Sequence, residues 1–133
     1  MILTYIDSGV LIAATMGQAN LSHLAFFALT DPNRLYASSI FVRLELLSIS
    51  KKFRCTEQNE LYKVFFETVT YWAEDFSYIT QIAYEQSERY GLRAMDALHI
   101  AAAVTLGASE IITTQSSDKP IHKTREIRVV SIS

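Results

Sequence analysis

The amino-acid sequence predicts a layered α/β domain built on a mainly parallel sheet. Short apolar runs alternate with longer stretches of helical periodicity, the pattern that a parallel sheet covered by helices requires. The first run, Ile2-Leu3-Thr4-Tyr5-Ile6, is partly β-branched and stops at an acid, Asp7. The 133 residues are 50% hydrophobic, enough to bury a sizeable core and too apolar for a disordered chain. Residues 1–133 are therefore expected to form one domain.

Residues 2–6 are too few for a helix and fit a strand buried on both faces. Helical periodicity follows over 10–16 and 21–29, with Gly17 as the break between them. Asp31-Pro32-Asn33 is a turn signal, because proline fixes φ while Asp and Asn bond to nearby backbone. Leu35-Tyr36-Ala37 reads as a second strand, and Ser38-Ser39 as the cap of a helix over 41–49. Lys51-Lys52-Phe53-Arg54 places positive charge at the carbonyl end of that helix. Thr56 caps a further helical pattern over 56–72. Residues 76–79 read as a brief strand, before a helix over 80–90 that Gly91 closes. An alanine-rich helix over 92–106 ends at Gly107, and 111–113 and 127–130 are the last two strands. The sequence shows no internal repeat, low-complexity tract or linker.

Charge and composition narrow the function. Twelve Lys plus Arg against 14 Asp plus Glu give a net charge of −2. That is not the balance of a protein that coats nucleic acid by bulk electrostatics, though it leaves room for local contacts through metal ions and a small basic patch. The lone Cys55 forms no intramolecular disulfide, which suits a reducing compartment. The apolar runs are well short of the roughly 20 residues of a membrane span. No basic leader precedes the first strand, so a cytoplasmic location is expected.

Three acids carry the chemistry. Asp7 sits where the first buried strand ends, and in open parallel sheets the ligand crevice lies outside the carboxyl ends of the strands. Its alternative is a simple helix cap. Glu45 shares a helix face with Phe41, Val42, Ser48 and Ile49, neighbours among which an unpartnered carboxylate is costly to bury. Its alternative is an edge-of-core side chain paired with Arg43 or Arg54. Asp96 opens Asp96-Ala97-Leu98-His99-Ile100-Ala101-Ala102-Ala103, where small alanines let a helix pack closely on a sheet. His99, one turn on, is in position to orient Asp96, although a satisfied structural histidine is the commoner case. Acids on three separate elements point to a hard cation, Mg²⁺ or Mn²⁺, that binds through oxygen. No Cys/His cluster indicates zinc, no Gly-rich phosphate loop is present, and no Gly-x-Ser-x-Gly elbow supports a serine hydrolase.

The segments Tyr5-Ile6-Asp7-Ser8-Gly9-Val10-Leu11-Ile12, Ser38-Ser39 with Glu45, Met95-Asp96-Ala97-Leu98-His99-Ile100-Ala101 and Ile111-Ile112-Thr113-Thr114 together resemble a PIN domain, in order and spacing, through essentially the whole chain. The resemblance implies a three-layer sandwich, a central mainly parallel sheet flanked by helices, and a metal-dependent ribonuclease. Many such proteins are toxins of VapBC-type toxin–antitoxin pairs. Carried over by position, it makes Asp7, Glu45 and Asp96 the catalytic and metal-binding triad, with Ser8 and Thr113 as supporting polar residues. The departure is at the fourth acid. The family commonly reads Thr-x-Asp after the fourth strand, and here Thr113-Thr114-Gln115 places a neutral amide there. Asp118, three residues on, replaces that acid only if its loop bends inward.

The leading reading is thus a Mg²⁺- or Mn²⁺-dependent endoribonuclease, with RNA as substrate, an antitoxin as partner and a homodimer as the expected assembly. Lys51, Lys52, Arg54, Lys119, Lys123, Arg125 and Arg128 are candidate phosphate contacts, against the alternative of ordinary solvated charge. The rival reading is a catalytically weak PIN-like module that acts through protein–protein interaction, favoured by Gln115 and the negative net charge. A phosphatase with an Asp7 nucleophile is disfavoured, because Gly9 stands where the haloacid-dehalogenase motif needs a second Asp.

Overall fold

The computed structural model describes residues 1–53 and 56–133, with the side chains of 50–53 left undescribed. Arg54, Cys55 and the side chains of Lys51 and Lys52 thus lie outside the described residues. Five strands form one sheet: β1 (Ile2–Ile6), β2 (Arg34–Ser39), β3 (Val69–Ala73), β4 (Glu110–Thr113) and β5 (Arg128–Ser131). Their spatial order is β3-β2-β1-β4-β5, and every neighbouring pair is parallel. The α-helices are α1 (Ser8–Met16), α2 (Ala19–Leu29), α3 (Ile40–Phe53), α4 (Thr56–Thr68), α5 (Phe76–Tyr90) and α6 (Ala94–Thr105). Right-handed crossovers put α1 to α4 on one face of the sheet and α5 and α6 on the other. This is the layered α/β domain on a parallel sheet that the alternating pattern predicts, in the three-layer form that the family resemblance implies.

Burial follows strand position. Thr4, Tyr5 and Ile6 of β1 are fully buried and all four residues of β4 are buried, whereas most of edge strand β5 stays partly accessible. Helix α6 covers the sheet with Ala97, Ile100, Ala101, Ala102 and Ala103, all nearly or fully inaccessible. Three consecutive alanines bring its axis close to the strands, so a substituent on this face lands near the sheet's polar end. The chain runs outward from β1 to β2 and β3, then returns through α5 and α6 to the other side of β1. The order therefore reverses between β1 and β4, and a crevice opens there beyond the strands' carboxyl ends.

Three sequence expectations are corrected. The helix read over 56–72 stops at Thr68, and the β-branched and aromatic Val69-Thr70-Tyr71-Trp72 enters the sheet as β3 instead. The strand read over 76–79 is the first turn of α5, capped by Asp75, whose Oδ1 accepts from the Tyr78 amide at 3.2 Å. Ser38 and Ser39 end β2 rather than capping α3, and both are fully buried.

Candidate functional site

Asp7 is the residue between β1 and α1. Its backbone is extended and its side chain makes no capping bond to the helix. The carboxylate serves the crevice instead: Oδ2 accepts from Thr113 Oγ1 at 2.7 Å, across the switch point on β4, and Oδ1 faces His99 Nε2 at 3.8 Å. Parallel pairing of Ile6 with Ile112 sets this approach, because it ends β1 and β4 side by side. Gly9 makes the approach possible. A Cβ there would stand 2.5 Å from Thr114 Oγ1, so the first turn of α1 sits as close to the end of β4 as a glycine allows.

Glu45 projects from α3 and is half-buried. Arg43 is not its partner among the described residues, and Arg54 lies outside them. Its Oε1 accepts from Ser8 Oγ at 2.9 Å and makes a short contact with His99 Nε2. Burial works to raise the Glu45 pKa, but the bond and charge of His99 together with Ser8 outweigh it and hold the carboxyl below its ordinary value. The ligand atoms of Asp7, Glu45 and His99 lie within 4.8 Å of one another.

Asp96 is the third residue of α6, so it is not that helix's cap, a position that Arg93 holds. Its Oδ1 accepts from Gln115 Nε2 at 2.9 Å. Burial raises its pKa, the Asp7 and Glu45 charges add to the effect, and the Gln115 bond and His99 oppose it. The Asp7 and Glu45 charges thus act on Asp96, while the group of close ligand atoms is Asp7, Glu45 and His99. His99 does not orient Asp96, as its spacing along the helix allows; its ring turns to Glu45 and Asp7, and Gln115 holds Asp96 instead.

The loop after β4 is tied into the cluster. The Gln115 amide N–H donates to Thr113 Oγ1 at 3.1 Å, and the Gln115 carbonyl lies 2.9 Å from His122 Nε2, on the turn Pro120–Lys123. Asp118 is exposed, with its carboxylate accepting from Ser116. Lys119, Lys123, Arg125 and Arg128 are all exposed.

Behind the cluster lies a feature that the sequence pattern hid. Tyr5, fully buried on β1, places its hydroxyl 2.6 Å from Ser39 Oγ and 2.9 Å from His99 Nδ1. Burial raises the phenol pKa well above its ordinary value, with the Asp7 and Glu45 charges acting the same way against the Ser39 bond, so Tyr5 stays protonated. Within an apolar strand run Tyr5 reads as one more core residue, and only its two polar neighbours reveal its hydroxyl's task.

The donor set fits a hard divalent ion. Each of the three carboxylates has one oxygen held by a protein donor, while its other oxygen accepts no hydrogen bond from a described residue. Clustered anionic oxygens left over in this way are what Mg²⁺ or Mn²⁺ takes as ligands.

No curated protein matches the chain, but solved structures do. It is similar to VapBC2 of Rickettsia felis bound to a DNA fragment from its promoter, with a TM-score of 0.70 at 16% identity, covering 99% of this chain and 100% of that one. A toxin–antitoxin complex from Klebsiella pneumoniae superposes with a TM-score of 0.68 at 19% identity over 96% of both chains. DNA-bound VapBC from Salmonella typhimurium gives 0.66 at 16% identity over 98% of both. At such identities these likenesses speak for the fold. The model of the PIN domain family matches residues 4–124, from β1 to just short of β5 and through every residue of the acidic cluster, and on that span the chain belongs to the PIN domain family.

Proposed function

We propose that this protein is a divalent-metal-dependent endoribonuclease and the toxin of a VapBC-type pair. The observation that carries the reading is the close approach of Asp7, Glu45 and His99 at the carboxyl ends of β1 and β4, their ligand atoms within 4.8 Å of one another, with Asp96 on the same helix as His99 and held by Gln115. Asp7, Glu45 and Asp96 would hold the ion. When bound, such an ion activates water and stabilises the charge that builds on a phosphodiester undergoing hydrolysis. The chain's own residues prepare the place for it. Thr113 and Ser8 fix two carboxylates by neutral donors, Gln115 fixes the third, and none of these bonds removes the negative charge that the ion needs. Exposed Lys123 and Arg125, on the loop that His122 ties to Gln115, are the candidate contacts for RNA phosphates.

The partners follow from the same reading. The neighbouring structures are toxin–antitoxin complexes, which supports an antitoxin segment that covers the crevice. Exposed Ile40 and Leu44 line a groove of about 690 Å³ between α3 and α4, whose wall includes Trp72 and Phe66 with the Arg43 guanidinium 5.5 Å from the Phe66 ring centre. Apolar surface of this kind supports a homodimer. A cytoplasmic location fits as well, and no helix among the described residues is long and apolar enough to cross a membrane.

One observation favours the rival binding module: Gln115 supplies an amide where the family commonly has a carboxylate. The two readings part on one experiment. Cleavage of a mixed RNA substrate with and without Mn²⁺, with Asp96→Asn as control, is expected to show metal-dependent activity that the variant loses. Absent cleavage in the wild type would leave the binding module, and metal-independent cleavage would overturn the metal reading.

A further inference from the structure

Glu45 sits on α3 and is about one-third exposed. What fixes it comes from elsewhere. Its Oε1 meets the Nε2 edge of His99 on α6, a ring that is 1% exposed and has no room to turn. The opposite edge of that ring, Nδ1, meets Tyr5 on β1, and Tyr5 meets Ser39 on β2, both completely inaccessible.

Chemistry sets the direction at the crevice. A carboxylate only accepts, so His99 Nε2 carries the hydrogen toward Glu45. The opposite nitrogen, Nδ1, meets the Tyr5 hydroxyl, which in turn meets Ser39. The contacts run unbroken from Ser39 through Tyr5 and His99 to Glu45, from the strand core to the rim of the crevice. Outer partners that orient a ligand in this way are worth a substantial part of a site's metal affinity.

We propose that His99 is a positioning residue for the metal site: locked by Tyr5 and Ser39, it holds the Glu45 carboxylate with one oxygen turned to the ion. This rests on the metal-dependent reading given above. It assigns His99 a place outside the ion's own ligands, although its Nε2 lies within reach of two of them.

The test is Mn²⁺ binding by calorimetry to the full chain. His99→Leu is expected to weaken binding tenfold or more. His99→Gln, whose side-chain amide can still donate toward Glu45, is expected to recover most of that loss, which a purely structural role would not produce. Tyr5→Phe, remote from the ion and close in shape, is expected to weaken binding by a smaller factor, and it keeps the test decisive should His99→Leu fail to fold. In electron paramagnetic resonance of the Mn²⁺-loaded wild type, no histidine nitrogen coupling is expected. Wild-type affinity in both Tyr5→Phe and His99→Leu would overturn the proposal, and so would a nitrogen coupling lost in His99→Gln, since His99 would then be a direct ligand. A wild type that binds neither Mn²⁺ nor Mg²⁺ would overturn the metal reading itself and the proposal with it.

Discussion

Gln115 Nε2 donates to Asp96 Oδ1 across 2.9 Å, from the loop after β4. A carboxylate at that place would repel Asp96; the amide restrains it. On the proposed metal reading, Gln115 thus supplies a fixed orientation of Asp96 and no ligand charge of its own.

Gln115→Asp restores the charge. It is expected to strengthen the binding of a second Mn²⁺ about tenfold or more, given the size of a nearby unit charge in a partly buried site, and to raise RNA cleavage. Asp118→Asn is expected to change neither, because Asp118 is exposed and engaged with Ser116. Calorimetric stoichiometry and cleavage rates across wild type and both variants check this. Loss of activity in Asp118→Asn alone would put the fourth ligand on that loop.

Asp96 and Glu45 respond to pH in opposite senses. The Asp96 pKa is raised in the folded state, by burial first, so its contribution favours folding below the ordinary value of 3.8 and is lost as pH rises through the folded pKa. The Glu45 pKa is lowered, so its contribution is present above 4.5 and is lost as pH falls through the folded pKa. At neutral pH and without metal, Asp96→Asn should leave the melting temperature unchanged or slightly higher, the gain staying under about 1 kcal/mol because the group is partly solvated. Glu45→Gln should lower it. Added Mn²⁺ should stabilise the wild type and not Asp96→Asn. A large drop in the metal-free melting temperature of Asp96→Asn would show that the residue serves mainly to hold α6.

Gly9 is a steric test of the crevice. Gly9→Ala forces a methyl against Thr114 Oγ1, and the displacement of α1 from β4 is expected to cost about 1–3 kcal/mol and to weaken metal binding through Asp7 and Ser8. Thr114→Ala in the same chain removes the obstructing hydroxyl and is expected to recover most of both. Denaturant unfolding of the two single variants and the double variant gives the coupling.

The groove between α3 and α4 sets the expected assembly. Light scattering at micromolar concentration should report a dimer, and Leu44→Glu or Ile40→Lys should give a monomer without changing the fold. A monomeric wild type would assign that surface to another partner.

What the sequence revealed and what it concealed divide along a physical line. β1, α1 and the acid between them were readable because a five-residue apolar run followed by helical periodicity is a local pattern. So were Glu45 and Asp96, which stand out as charges on otherwise apolar helix faces. The boundary between α4 and β3 was not, since Tyr62, Phe65, Phe66, Val69 and Trp72 satisfy a helical period as well as a strand's composition, and pairing with β2 decides between them. Nor was the role of His99 readable. Its spacing from Asp96 is local, whereas its bonds go to Tyr5 and Glu45, 94 and 54 positions away, and only the packing of α6 selects them.

The Thr113 bond to Asp7 spans 106 positions of sequence and closes the crevice from the β4 side. During synthesis, Asp7 emerges first, Glu45 and Asp96 follow, and the hydroxyl and amide that fix Asp7 and Asp96 come later still. Strand β4 must insert beside β1 before those groups meet, a long-range pairing that is slow to form. A growing polypeptide tethered to the ribosome therefore carries its acidic side chains unassembled until β4 has emerged and paired, and the centre forms as a late event of folding.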